Sequence, residues 1–247
     1  MTDKLLELDH ISKRFGSIVV ADSLSVSLVP GDAVGVVGPN GAGKTSLFSL
    51  ISGDLRPNSG DVRFNGRSVT RLDPSERCRL GIARTYQVPR SFEHMTVFEN
   101  VLVAAHRGAG VRGKEAFDVA AGVLRETGLL AEANRPAGRL GLQQRKRLEL
   151  ARALGARPRL ILLDEVAAGL TEPEVEGLVE IVVAVRARGI AVIWVEHVVR
   201  ALFGVVERLI CLAAGRMIGD GEPRAVLASA AVRDVFLGTN YGEVPGA

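Results

Sequence analysis

The 247-residue sequence has only two cysteines, Cys78 and Cys211, far apart and without metal-ligand spacing. That scarcity argues against a disulfide scaffold or a thiolate metal site, and reduced thiols in a cytosolic protein are expected. Charge of one sign is also lacking. Thirty-one Lys and Arg stand against 28 Asp and Glu, and the net of +3 is too small and too dispersed for nucleic acid to be the main partner. No uninterrupted apolar run approaches the roughly 18 residues needed to cross a bilayer. The N-terminus, M-T-D-K-L-L-E-L-D-H, is charged where a signal peptide has its apolar core, so a chain soluble in itself is expected. Internal repeats and low-complexity segments are missing too, which excludes solenoids and disordered arrays. Hydrophobic residues make up 47%, ample for a buried core.

The most informative segment present is Gly38 to Thr45, G-P-N-G-A-G-K-T. Before it runs Asp32-Ala33-Val34-Gly35-Val36-Val37, apolar and β-branched, the composition of a strand buried on both faces. Glycines at 38, 41 and 43 let the backbone turn tightly and aim successive N–H groups at phosphate oxygens, and the helix that follows adds its positive N-terminal end. Lys44 is placed to reach the β- and γ-phosphates of a nucleotide, and Thr45 offers its hydroxyl to Mg²⁺. The predicted nucleotide contacts are Gly38, Pro39, Asn40, Gly41, Ala42, Gly43, Lys44, Thr45 and Ser46.

A second buried-strand run, Arg159 to Leu163, ends in Asp164-Glu165. Both carboxylates then emerge at the carboxyl end of a strand, where open α/β sheets bind ligands. Asp164 is the candidate Mg²⁺ holder and Glu165 the candidate base that polarises water attacking a γ-phosphate. A third run, Ile190 to Val195, ends in Glu196-His197. Strands alternating with helices from Arg159 to Ile210 give the pattern of a doubly wound parallel sheet. No N-K-x-D guanine motif follows the core strands, which disfavours a GTPase.

With these residues in place, the sequence resembles the ATPase subunit of an ABC transporter over essentially its whole length. The segments A-R-T-Y-Q-V-P-R-S-F-E-H-M-T-V-F-E-N-V, R-K-R-L-E-L-A-R-A-L and D-E-V-A-A-G-L look like the ATPases of importers for branched-chain amino acids and related small polar solutes. The resemblance implies that Gln87 is the Q-loop glutamine and a metal contact, that His197 is the switch histidine at the γ-phosphate, and that Phe15 stacks on adenine. For Phe15 the alternative is plain core packing. The implied ligands are ATP and Mg²⁺. The implied partners are transmembrane permease subunits at the cytoplasmic face of the cell membrane, a second ATPase subunit, and, indirectly, an extracytoplasmic solute-binding protein.

One segment departs from that family. Aligned back from Ala151-Arg152-Ala153-Leu154, the L-S-G-G-Q signature falls on Leu140-Gly141-Leu142-Gln143-Gln144. Gly141 and Gln144 are the candidate contacts to nucleotide held by the opposite subunit. Gly141 lacks the serine hydroxyl, and Gln143 stands at the last glycine position. Val166 replaces a common proline, and Thr171 ends a D-loop, Ala168-Gly169-Leu170-Thr171, where an acid or amide is usual. These departures point to a non-identical partner ATPase, and they keep a low-turnover regulatory module as an alternative beside an export ATPase.

The expected architecture is α/β: a phosphate-loop nucleotide-binding fold, its parallel core sheet flanked by helices, with a small antiparallel β subdomain and an inserted helical subdomain. One domain spans 1–247, with 1–87 and 155–247 as core and 88–154 as the helical insertion. Within the insertion, helices are expected over Ala116 to Leu130 and Arg145 to Leu154, and loops over Gly108 to Gly113 and Glu132 to Arg139. Gly60 to Gly66 reads as a strand with its turn, and the segment from Gly215 to Leu237 as a hairpin and a cap. Apolar Val88, Phe92, Met95, Val97 and Phe98, set among charges, form either a docking face for a membrane-spanning partner or a face covering the core.

Overall fold

The computed structural model of the protein describes residues 4–197 and 199–237; the ends of the expected domain, 1–3 and 238–247, lie outside the described residues. Two sheets organise the chain. Strands β1 (Leu6–Phe15), β2 (Ile18–Leu28), β4 (Ser59–Phe64) and β5 (Arg67–Ser68) form an antiparallel sheet in the order β2-β1-β4-β5. The second sheet runs β10-β9-β3-β8-β7-β6, built from β3 (Ala33–Val37), β6 (Ile82–Arg84), β7 (Leu160–Asp164), β8 (Ala191–Val195), β9 (Arg208–Ala213) and β10 (Arg216–Gly221). Neighbours pair in parallel except β9 and β10, which form the expected hairpin.

Every residue of β3, β7 and β8 is buried, because both faces of the sheet are covered. The two-residue period divides their side chains between two cores. Val37, Ile161, Leu163, Val192 and Trp194 join the core that includes Val101, Leu124, Leu148 and Leu178 from the helices. Val36, Leu160, Leu162, Ile193 and Val195 face the core shared with Leu47, Phe48 and the antiparallel sheet. On the first of these faces Gly35 leaves room for neighbours, since a Cβ there would stand 2.8 Å from Leu209 Cδ1.

The helices are α1 (Lys44–Ser52), α2 (Pro74–Leu80), α3 (Val97–Arg107), α4 (Gly113–Glu126), α5 (Leu142–Gly155), α6 (Glu172–Ala187), α7 (Val199–Leu202), α8 (Pro223–Ala228) and α9 (Ala230–Leu237). Their starts follow local chemistry. Thr96 and Glu99 cap α3 reciprocally, and Asp73 with Glu76 does the same for α2. Helix α4 differs from the expected Ala116–Leu130 at both ends, starting at Gly113, the last residue of the expected loop, and stopping at Glu126 because Gly128 turns the chain at φ 69°. The expected loop over 132–139 carries two short 3₁₀ turns, Leu130–Glu132 and Ala137–Arg139.

The apolar stretch after Gln87 divides rather than presenting one face. Val88 and Phe92 are exposed, whereas Val97 and Val101 are fully buried, and Phe98 packs on Phe117 with ring centroids 5.4 Å apart. The docking expectation is therefore corrected for Val97, which is a core residue. Both cysteines are free thiols, Cys211 in the core, where burial pushes its pKa up to about 11. No helix among the described residues is long and apolar enough to cross a membrane.

Candidate nucleotide site

The carboxyl ends of β3, β7 and β8 lie side by side and converge on one place, with Val36 paired to Val195 and Asp164 to Val195. The loop after β3 has no room for a side chain at two of its glycines. Gly38 (φ 148°) and Gly43 (φ 104°) adopt backbone that L-residues rarely take, and a Cβ would stand 2.1 Å from Leu212 O and 2.4 Å from Val20 O respectively. Ala42 between them is buried, and Lys44 opens α1. The Lys44 ammonium donates to Gly38 O at 2.6 Å and Pro39 O at 3.0 Å, folded onto the loop itself. Burial pulls its pKa down, against the opposing pull of Glu165 and Asp164. A glycine-turned loop, an amine and a helix N-terminus make a cradle for phosphate oxygens. Thr45 and Ser46 occupy the first turn of α1, where a hydroxyl can join an oxygen ligand set.

At the end of β7, Asp164 is buried, and this raises its pKa; Arg84 partly offsets the shift through a contact of 2.9 Å from Nη2 to Oδ2. Arg84 also donates to Ser49 Oγ and Asp54 Oδ2, and lies over the rings of Phe48 and Tyr86. It thus ties α1, β6 and β7 together behind the loop. The next residue, Glu165, takes φ 48°, a left-handed conformation unusual for a side-chain-bearing residue. Its N–H donates to Val195 O at 2.9 Å, and its carbonyl accepts from Lys146 Nζ at 3.0 Å.

The Glu165 carboxylate is held from both sides. Gln87 Nε2 donates to Oε2 at 2.5 Å, and His197 Nε2 stands 2.8 Å from Oε1. Glu165, expected from its place at a strand end, and Gln87 and His197, implied by the family resemblance, thus meet in one cluster. Gln87 spends its amide nitrogen on Glu165; its amide oxygen, the Thr45 hydroxyl and the Asp164 carboxylate are the oxygen donors that a hard cation such as Mg²⁺ takes. The donor set fits the ion.

Phe15, at the end of β1, is 52% exposed with Lys13 Nζ 5.2 Å from its ring centroid. That excludes core packing and leaves the ring at the surface, with the Lys13 ammonium over it. Gly141 and Gln144 lie elsewhere, at the start of α5. Gln144 Oε1 accepts from the Gly141 N–H at 3.2 Å, and with Leu142, Gln143, Gly169, Leu170 and Glu174 they line an open cleft of about 410 Å³. Thr171 has a local reason: its N–H and hydroxyl both donate to Glu174 at the start of α6.

Several supporting residues gave no sequence signal. Lys146 is buried and bridges the backbone carbonyls of Gln87 and Glu165, yet reads in sequence as one more basic helix residue. Arg77, wholly buried, donates to Leu50 O and Ile51 O at the end of α1 and to Thr70 O and Leu72 O. Burial lowers its pKa to about 10. Arg84 and Glu196 sit inside or beside recognised motifs, and adjacency was the only hint they gave.

Comparison with known proteins gives consistent results. The family described as ABC transporter matches residues 21–168. The branched-chain amino acid transport ATP-binding proteins BraF of Pseudomonas aeruginosa and LivG of Escherichia coli K12 are each 32% identical over 96% of this chain and 99% of their own. The lipopolysaccharide export ATP-binding protein LptB of Acidithiobacillus ferridurans is 34% identical over 96% of this chain and 98% of its own. Among solved structures, the ADP conformation of the ATP-binding cassette MJ1267 superposes with a TM-score of 0.87 at 29% identity, covering 95% of this chain and 99% of that one.

Proposed function

This chain belongs to the ABC transporter family as an ATPase subunit, and from that premise we propose that it drives import of branched-chain amino acids or related small polar solutes. In this reading two ATPase subunits close head to tail with ATP between them, docked on transmembrane permease subunits at the cytoplasmic face of the cell membrane. An extracytoplasmic solute-binding protein delivers the solute, so specificity lies outside this chain. Residues 88–154 act as the helical subdomain of one ATPase domain, with 1–87 and 155–247 as its nucleotide-binding core. Val88, Phe92 and Met95 supply the permease-docking face.

The observation that carries the hydrolytic part of this reading is the buried Glu165 carboxylate, clamped by Gln87 and His197 beside the phosphate loop, and the likeness to BraF and LivG supports the import of branched-chain amino acids. Lys44 exchanges its two loop carbonyls for β- and γ-phosphate oxygens, and the loop amides hold the remainder. Phe15 stacks on adenine. Thr45, Asp164 and Gln87 hold Mg²⁺, which when bound neutralises phosphate charge. Glu165 orients and deprotonates the attacking water, and His197 holds Glu165 and contacts the γ-phosphate.

The second ATPase is non-identical in this reading. Gly141 and Gln144 face the nucleotide bound by that partner, but Gly141 has only its N–H, which donates to Gln144 Oε1 until nucleotide takes its place, and a lost hydrogen bond to a charged group costs about 1.5–3 kcal/mol. A partner with a complete signature then supplies the stronger composite site. An ATP-dependent homodimer with full hydrolysis at both sites would sink this pairing.

The test is steady-state ATP hydrolysis by the purified chain and by Glu165→Gln, each alone and mixed with a candidate partner ATPase. Turnover that rises with the partner and falls in the variant supports the transport motor. ATP binding without turnover in any mixture replaces it with a low-turnover regulatory module. An export ATPase is the second reading, favoured by the likeness to LptB; uptake of labelled leucine by vesicles carrying the assembled transporter separates the two.

A further inference from the structure

Glu196 directly follows β8, between Val195 and His197, and takes no part in the proposed hydrolysis. The residue is only 1% exposed, an expensive place for a carboxyl. Oε1 accepts from Trp194 Nε1 at 3.1 Å and from the Ala167 N–H at 2.8 Å, while Oε2 is buried with no hydrogen-bond partner among the described residues. The charged groups that face it are Glu165, from the end of β7, and Lys146, from the first turns of α5.

Ala167 lies two residues beyond Glu165, and that places Glu196 in the support of the site. A left-handed φ at a glutamate persists only where the surroundings impose it. Val195 O and Lys146 Nζ hold the backbone at Glu165 itself. Beyond it, the Ala167 N–H is taken by a side chain from the neighbouring strand rather than by a regular ladder or helix partner. The anchor and His197 are successive residues, so the end of β8 grips Glu165 twice: through the imidazole on its carboxylate and through a carboxyl behind its turn.

We propose that Glu196 is a positioning residue for Glu165, fixing the turn after β7 so that the Glu165 carboxylate stays between Gln87 and His197. This rests on the reading of Glu165 as the base. It extends that reading to the segment 168–171, which leaves the sheet immediately after the anchored amide.

The experiment compares Glu196→Ala and Glu196→Gln in the full chain, assayed with the partner ATPase that gives turnover, with Glu165→Gln as reference. Glutamine retains an acceptor oxygen for both donors, and alanine retains none. The Ala variant should lose about tenfold or more in kcat with KM for ATP within about twofold, while Gln stays within about threefold of the unsubstituted chain. A purely structural role would not separate kcat from KM, nor be rescued by the amide. Independently of turnover, NMR-detected exchange of the Ala167 amide should accelerate about tenfold or more in Ala and not in Gln. Should the Ala variant fail to fold, Glu196→Asp, one methylene shorter, carries the same expectation. Unchanged kcat or unchanged Ala167 exchange in a folded Ala or Asp variant overturns the proposal. An unsubstituted chain that binds ATP without turnover refutes the base assignment instead, and the exchange measurement then decides the anchoring alone.

Discussion

Substituting serine for Gly141 separates a cap from a catalytic contact. Gly141 sits at the N-cap of α5 with φ −70° and ψ 171°, the extended conformation serine adopts there, and a Cβ at this position would meet nothing within 4 Å. The substitution therefore introduces no strain, and its two possible gains differ in size. As a helix cap, serine improves on glycine by a few tenths of a kcal/mol, which raises Tm by about 1 °C in a chain of this length. As a donor to a γ-phosphate held by the partner, it restores a charge-assisted hydrogen bond of about 1.5–3 kcal/mol. If that bond is made only in the transition state, kcat rises by about 10- to 150-fold. The assay is steady-state ATP hydrolysis of the assembled ATPase pair, with kcat and KM resolved, beside a thermal melt of the isolated chain. A melt raised by about 1 °C with kcat unchanged would confine the hydroxyl to capping and refute the argument that Gly141 costs a phosphate contact. The double variant with Gln143→Gly then asks whether the side chain at the last glycine position is the larger obstacle.

Arg77→Leu should destabilise the fold by about 2–4 kcal/mol, lowering Tm by about 5–15 °C, because buried carbonyls at the end of α1 lose their donor; a melt within about 1 °C of the unsubstituted chain would show that water replaces the guanidinium. Phe92→Glu with Met95→Glu should uncouple hydrolysis from transport in the assembled complex while sparing ATP binding; loss of ATP binding as well would mean that these side chains support the core. Burial raises the Glu196 pKa from 4.5 to about 7, so the folded state binds that proton more tightly than the unfolded chain. Its contribution to stability is complete below pH 4.5 and declines as pH rises to about 7, by about 3 kcal/mol. Because glutamine does not titrate, Glu196→Gln should gain on the unsubstituted chain across that window in urea denaturation; a difference that does not vary with pH would refute the assignment.

How far the sequence could be read depended on how local each signal was. The phosphate loop was legible because every residue that shapes it lies within eight positions, and its strand announced itself by an apolar run with no polar face. The same holds for β7 and β8, so the carboxyl ends that build the site are legible in the apolar runs alone. Gln87, Glu165 and His197 were named separately, but nothing local to any of them indicated that their side chains touch. Arg84 and Asp164 are 80 positions apart, and Ala167 and Glu196 are 29 apart; each pair is joined only by strand order. Val97 misled because its apolar neighbours face different ways, a distinction fixed by how α3 packs on α4 and α5 rather than by composition. Thr171, which stood out as a departure from the family, is explained by a capping contact three residues ahead.

Trp194 is the sole tryptophan of the chain, fully enclosed on β8, its backbone paired with Gly35 of the strand that enters the phosphate loop and with Leu163 just before Asp164. The molecule therefore carries a native, single-site fluorophore at its most informative point. Excited on the red edge of its absorption, where adenine nucleotides are transparent, it needs no dye and no introduced cysteine. Its indole N–H rests on Glu196, the immediate neighbour of His197, so any shift at that strand end changes the polarity the excited ring senses. In the proposed cycle, nucleotide arrival, subunit closure and product release should each register as a change in its emission, separable in time by rapid mixing in the unmodified protein.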